Sequence, residues 1–184
     1  MRRMEGVVAV EMTEKQRAIA AEIERGPRGR VGGLMALWLH SPDLAEHAQR
    51  VGAYFRTQDH VPPHLIEMVI LTTAQHWQCE HEWLQHEPLA RTKGLSDSII
   101  EAIRRGSEPE FEDGATKAVY EYAAMMLKHH QVSDRVFAAV KDAFGARGIV
   151  DLSILMGHYI HGAILLNAIQ FGRPEGVASP FRSN

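Results

Sequence analysis

No stretch of this chain alternates apolar and polar residues at period two for long enough to build a half-buried strand. What recurs is helical punctuation. A helix is predicted from about Thr13 to Arg25, stopped by Gly26-Pro27 and followed by a loop to Gly33. Ser41-Pro42-Asp43 reads as a helix start, with Ser41 as cap and Pro42 at a first position where no N–H is needed; that helix runs to about Arg56. Pro62-Pro63 opens the next. Gly94 is a stop, Ser96 caps a helix to Arg105, and Gly106 ends it. Ala115, Val119, Tyr122, Ala123 and Met126 recur at helical spacing, as do Val136, Phe137, Val140 and Phe144 after the cap Ser133. Gly145 and Gly148 are predicted to separate these from a last long helix, about Ile149 to Phe171. The fold class this pattern predicts is all-α.

With 184 residues, 45% of them hydrophobic, the chain can fill one core. A single domain, 1–184, is expected: an N-terminal helix and loop (1–33), a core (34–171), and a tail (172–184) whose Pro174 and Pro180 suit wrapping over a surface. A net charge of −3 is far from the gathered basic excess of a nucleic-acid binder, so no nucleic-acid partner is expected. Arg2 and Arg3 imitate the start of a signal peptide, but Glu5 and Glu11 bracket an apolar stretch too short for its core, which points to the cytoplasm. The last helix is rich in Ile and Leu, yet Asp151, His158, His161, Asn167 and Gln170 interrupt it. It reads as a core helix or a subunit interface, and no membrane partner is expected.

The chemistry concentrates between Glu67 and His86. Glu67 is the one charge in the apolar run 65–71, on a helix apolar on most sides and therefore buried. Desolvation by such neighbours predicts a carboxyl raised toward neutrality, which suits a general acid or base. The same residue pattern also fits a structural ion pair. Cys79, Glu82 and His86 follow at i, i+3 and i+7, one face of a helix. A base beside a thiol makes a nucleophile, and a protonated His86 would lower the thiol while Glu82 opposes it. A lone Cys is also a good small core residue. Cys79 is the only cysteine, so an internal disulfide is excluded. Eleven His raise the question of a metal, but no HExxH or CxxC spacing is present, and no metal is expected. His158 and His161, at i, i+3 on the last helix, and Trp83 are second-tier candidates for substrate contact.

These residues resemble the carboxymuconolactone decarboxylase family of the alkylhydroperoxidase D-like superfamily. The resemblance is carried by His40-Ser41-Pro42-Asp43-Leu44-Ala45, the run Val61 to Leu71, the run Cys79 to Ala90, and Gly94-Leu95-Ser96. It spans about three quarters of the chain, from Leu34 to about Phe171. It implies a bundle of antiparallel helical hairpins, assembly as trimers or hexamers, and a buried pocket between helices. The alkylhydroperoxidase branch carries Glu, eleven residues, then Cys-x-x-Cys-x-x-x-His. Glu67, Cys79 and His86 fall on its Glu, first Cys and His, and Glu82 stands where the second Cys would be. Glu82 cannot resolve an oxidised Cys79, so an outside thiol would have to. In the decarboxylase branch the resemblance implies chemistry on a lactone acid with no cofactor.

Three functions compete on these residues. The first is a cofactor-independent enzyme of the lyase type, in which Glu67 and His86 shuttle protons and Glu82 orients His86. The second is a one-cysteine peroxidase acting through Cys79 with an external reductant. The third is an oligomeric binding protein that keeps the pocket without the chemistry.

Overall fold

The computed structural model describes residues 2–181. Among them the chain is all-α: eight α-helices, a 3-10 turn at Ala9–Glu11 and no strand. The helices are α1 (Glu14–Arg25), α2 (Leu34–Trp38), α3 (Pro42–Thr57), α4 (Pro63–His76), α5 (Glu80–Thr92), α6 (Asp97–Arg104), α7 (Gly114–His129) and α8 (Asp134–Ala168). They fall into two compact units, Met1–Gln58 and Asp59–Asn184.

In the first unit, α1 and α2 pack on α3. Thr13 caps α1 in a capping box with Gln16, and Gly26 follows its last turn. Gln49 donates to Glu22 at 2.7 Å, and Arg50 grips both oxygens of the same carboxylate at 2.7 and 2.9 Å, pinning α3 to α1. Two details depart from expectation. Ser41 makes no capping hydrogen bond, since its backbone (φ −125°, ψ 79°) lies away from the usual cap geometry; Pro42 alone marks that start. The short α2 was not expected, because five residues are too few to show a period.

The second unit is built around α4, which packs against α5, α6, α7 and α8. Every residue from Leu65 to Ala74 is buried, as an apolar run closed on all sides requires. Ser96, Asp113 and Ser133 cap α6, α7 and α8 through the backbone N–H of Ile99, Thr116 and Val136. The break expected at Gly145 and Gly148 lies at Gly145 alone, whose φ of 65° kinks α8. The Phe144 carbonyl beside the kink accepts a hydrogen bond from His60 Nε2 at 2.7 Å. Gly148 is helical and buried. Its role is packing, because a Cβ there would collide with the Phe144 side chain. By length and composition α8 could cross a membrane, but half of its most apolar window is buried, as in a core helix.

Candidate active site

Helices α4 and α5 form a hairpin whose turn sets the site. The N–H of Trp77 donates to Thr73, Gln78 takes a left-handed backbone (φ 49°), and the N–H of Cys79 returns to the Ala74 carbonyl at 2.8 Å. Cys79 is thereby fixed as the N-cap of α5, one position outside the helix in which the sequence placed it. Glu82 and His86 lie on the buried side of α5, and Glu67 on α4.

Glu67, 2% exposed, meets two donors. Its Oε2 lies 2.7 Å from His86 Nδ1, and its Oε1 accepts from Lys93 Nζ at 2.6 Å. Burial pushes the Glu67 carboxyl up. The hydrogen bonds and positive charge of His86 and Lys93 more than offset it, and the carboxyl rests below its ordinary value. This corrects the expectation of a raised Glu67, which counted the apolar neighbours on α4 and not the partners across the hairpin. An ionised Glu67 only accepts, so His86 Nδ1 carries the hydrogen. His86 Nε2 then lies 3.5 Å from Glu82 Oε2, an ion-pair distance longer than a good hydrogen bond. The imidazole ring, 4% exposed, also meets the Tyr159 ring edge-on at 5.0 Å between centroids.

Cys79 is equally buried, at 1% exposed, with no such partner. Burial pushes its thiol up to about 12, against the pull of the Glu82 and His81 backbone N–H groups and with the help of the Glu82 and Glu80 carboxylates. The expected lowering by His86 is not what governs it. Cys79 does border a cavity of about 240 Å³, with Asn167 and His81 in its wall. Three left-handed residues, Gln78, Gln170 and Gly172, also line it. The chain after α8 is strapped beside this cavity: Arg173 pairs with Glu80 at 2.9 Å, and Phe171 meets the His81 ring at 4.6 Å. Glu67, Glu82 and His86 do not line the cavity.

The second-tier candidates are placed elsewhere. Trp83 is fully buried; its indole N–H donates to Glu87 at 2.8 Å, its ring meets Phe181 at 5.4 Å, and the Arg104 guanidinium lies 5.4 Å from it. It is part of the packing of α5 and adds no exposed apolar area. His158 stacks edge-on between Tyr159 (5.4 Å) and His161 (5.1 Å), and burial lowers His161. Among the described residues no three His, Cys, Asp or Glu side chains group as metal ligands.

Two members of the cluster were not foreseen. Lys93 lies 26 residues after Glu67, where no helical spacing rule applies; its one signal was a cation just before the stop at Gly94. Tyr159 was hidden beside His158 in an apolar helix. No protein-family model matches the chain, and no curated protein matches it.

Proposed function

We propose that this chain is a cofactor-independent small-molecule enzyme of the carboxymuconolactone decarboxylase-like type, performing acid–base chemistry on a small carboxylic acid or lactone. Its fold is read as an alkylhydroperoxidase D-like bundle, its location as cytoplasmic, and its assembly as a homo-oligomer, trimer or hexamer. Val150, Ile154 and Ile164 support the assembly. They are exposed and share one face of the part of α8 after its kink.

The observation that carries the reading is the buried pair of His86 and Glu67, backed by Lys93. His86 and, after it, Lys93 keep Glu67 ionised. Glu67 fixes the His86 tautomer and stabilises the imidazolium, the part a carboxylate plays behind a catalytic histidine. His86 Nε2 is then the atom that exchanges a proton. When a substrate loses carbon dioxide, the electron pair of the broken C–C bond stays on carbon as an enolate. Imidazolium delivers its proton there and recovers one from water, so no redox partner is needed.

The test is decarboxylation of a panel of small lactone acids in deuterated water. The product should carry one solvent deuteron at the carbon that lost the carboxylate. His86→Gln and Glu67→Gln should lower kcat by about a hundredfold or more while circular dichroism keeps its helical signal. Full activity in folded His86→Gln would remove the reading. The single-cysteine peroxidase with an external thiol reductant is the second reading, favoured by the cavity at Cys79. A thiol at about 12 is almost wholly protonated near neutrality, which weighs against it.

A further inference from the structure

The chain that leaves α8 passes over the first turn of α5, just beyond Cys79. The N–H of Phe171 returns to the Leu166 carbonyl at 2.9 Å, so Phe171 still belongs to the end of α8; its ring meets that of His81 edge-on at 4.6 Å. The chain is next buried at Pro180 and Phe181, where the Phe181 ring meets Trp83 at 5.4 Å. Between these anchors every residue from 172 to 179 is exposed. The span is caught on α5 by Arg173, whose Nη1 donates to both Glu80 carboxylate oxygens at 3.0 and 2.9 Å.

Arg173 Nε also donates to the Val177 carbonyl at 2.6 Å, and the Val177 N–H returns to the Pro174 carbonyl at 3.2 Å. Residues 173–177 are thus closed on themselves as a small loop that can move as one piece. Gly172 joins this loop to the end of α8, with a left-handed backbone (φ 53°) that a side chain would strain. It is also a wall of the cavity of about 240 Å³ at Cys79, together with Glu80 and His81. Ring packing holds the two anchors. The loop is held by an ion pair whose side chains are 41% and 21% exposed, a contact that is weak in water and screened by salt. An exposed loop with such a tie sits at the low end of local stability.

From this arrangement we infer that residues 172–179 are a strap that closes the cavity at Cys79, latched by the Arg173–Glu80 ion pair and opened by a swing about Gly172 while Phe171 and Phe181 stay seated. Hinge motion of this kind needs only a few residues to absorb the change in backbone angles. Opening takes the Gly172 wall away from the cavity and lets small molecules in solution reach the thiol, which is 1% exposed with the strap closed. Cys79 is the only cysteine, so once oxidised it has no internal thiol to resolve it; a closed strap guards it. None of Glu67, Glu82 or His86 lines this cavity, so the inference stands apart from the acid–base reading.

The test is the rate at which iodoacetamide, a neutral reagent, labels Cys79 in the native chain near pH 9, read by mass spectrometry. Wild type, Arg173→Gln and Arg173→Glu are compared in about 0.1 M and about 1 M sodium chloride. Arg173→Gln removes the latch and should label about threefold to fivefold faster than wild type in the lower salt. Arg173→Glu sets two carboxylates against each other and should label faster still. Loss of a cation near a thiol would by itself slow labelling, so a rise reports opening and not a change in the thiol. High salt should speed the wild type more than Arg173→Gln, because only the wild type has a latch to screen. The rates should not change with urea below the unfolding transition, as for a local opening, and circular dichroism should show the same helices in all three chains. Three results would each overturn the inference: variant rates at or below that of the wild type; an equal response to salt in wild type and Arg173→Gln; or rates that climb with urea at the slope of global unfolding, which would make unfolding the route to Cys79.

Discussion

Glu67 and Cys79 belong to one helical hairpin, on α4 and at the N-cap of α5, equally hidden from water and opposite in charge state. Glu67 is 2% exposed and rests below its ordinary value; Cys79 is 1% exposed and is pushed up to about 12. Desolvation opposes the charged form at both. The difference lies in partners. Glu67 has a donor on each oxygen, from His86 and Lys93, whereas Cys79 has weak amide help and two carboxylates working against it. Burial alone therefore says little about whether a motif residue is ready for chemistry. What crosses the hairpin to meet it decides.

The strongest way to break this contrast is to remove the shared partner. His86→Leu leaves Glu67 and Glu82 buried on α4 and α5 without the imidazole between them. Unfolding free energy should fall by about 3–5 kcal/mol, as when one member of a buried pair is deleted. Urea titration at neutral pH with an unchanged m-value checks it. A loss below about 1 kcal/mol would mean that Glu67 does not depend on its partners.

Lys93→Met is the gentler cut, because the Lys93 side chain is 29% exposed and can hydrate part of its charge. We expect a cost of about 1–2 kcal/mol and an upward move of the Glu67 carboxyl, read by carbon NMR of the labelled side chain. The pH profile follows from the wild-type direction. Glu67 is lowered in the folded chain, so its stabilisation is present above the unfolded value of 4.5 and is lost as pH falls through the lower folded value. Glu67→Gln should lack that acid-side loss.

Cys79 gives the opposite profile. The folded chain holds the thiol proton more tightly than the unfolded chain does. Its contribution is therefore full below 9.0 and is lost as pH rises toward about 12. Iodoacetamide at pH near 8 should leave native Cys79 unmodified by mass spectrometry and label it on unfolding, in the wild type and in His86→Gln alike. Rapid labelling of the native chain that slows in His86→Gln would restore the coupling between thiol and imidazole.

Much of this was legible in the sequence, because it is written in local terms. Thr13, Pro42, Pro63, Ser96 and Ser133 mark helix starts that need only their own neighbours, and the run around Glu67 announces burial by composition. The pairing of Glu67 with Lys93 depends instead on how α4 folds back along α5. No period within one helix encodes it, and the expected sign of the Glu67 shift failed for that reason. Gly148 was misread because a glycine needed for close packing against Phe144 looks, in sequence, like a glycine that ends a helix. Ser41 shows the converse: the right residue type beside Pro42, with a backbone that keeps its hydroxyl from capping.

The smallest expected effect sharpens the contrast most directly, because Glu82 belongs to both halves of it. Its carboxylate lies 3.5 Å from His86 Nε2 and also raises the Cys79 thiol, while its backbone N–H pulls the same thiol down. Glu82→Gln keeps the backbone and the approximate shape and removes only the charge. Burial is the largest influence on Cys79, so the thiol should move down from about 12 and stay above 9.0. Removal of one nearby charge should raise the iodoacetamide labelling rate only a few-fold, on the order of 1 kcal/mol. The rate is best measured near pH 9, where the folded chain is intact and labelling is slow enough to follow. A rise of more than about a hundredfold, or roughly 2.7 kcal/mol, would show that the carboxylate and not burial holds the thiol neutral. Glu82 would then be the residue that silences Cys79.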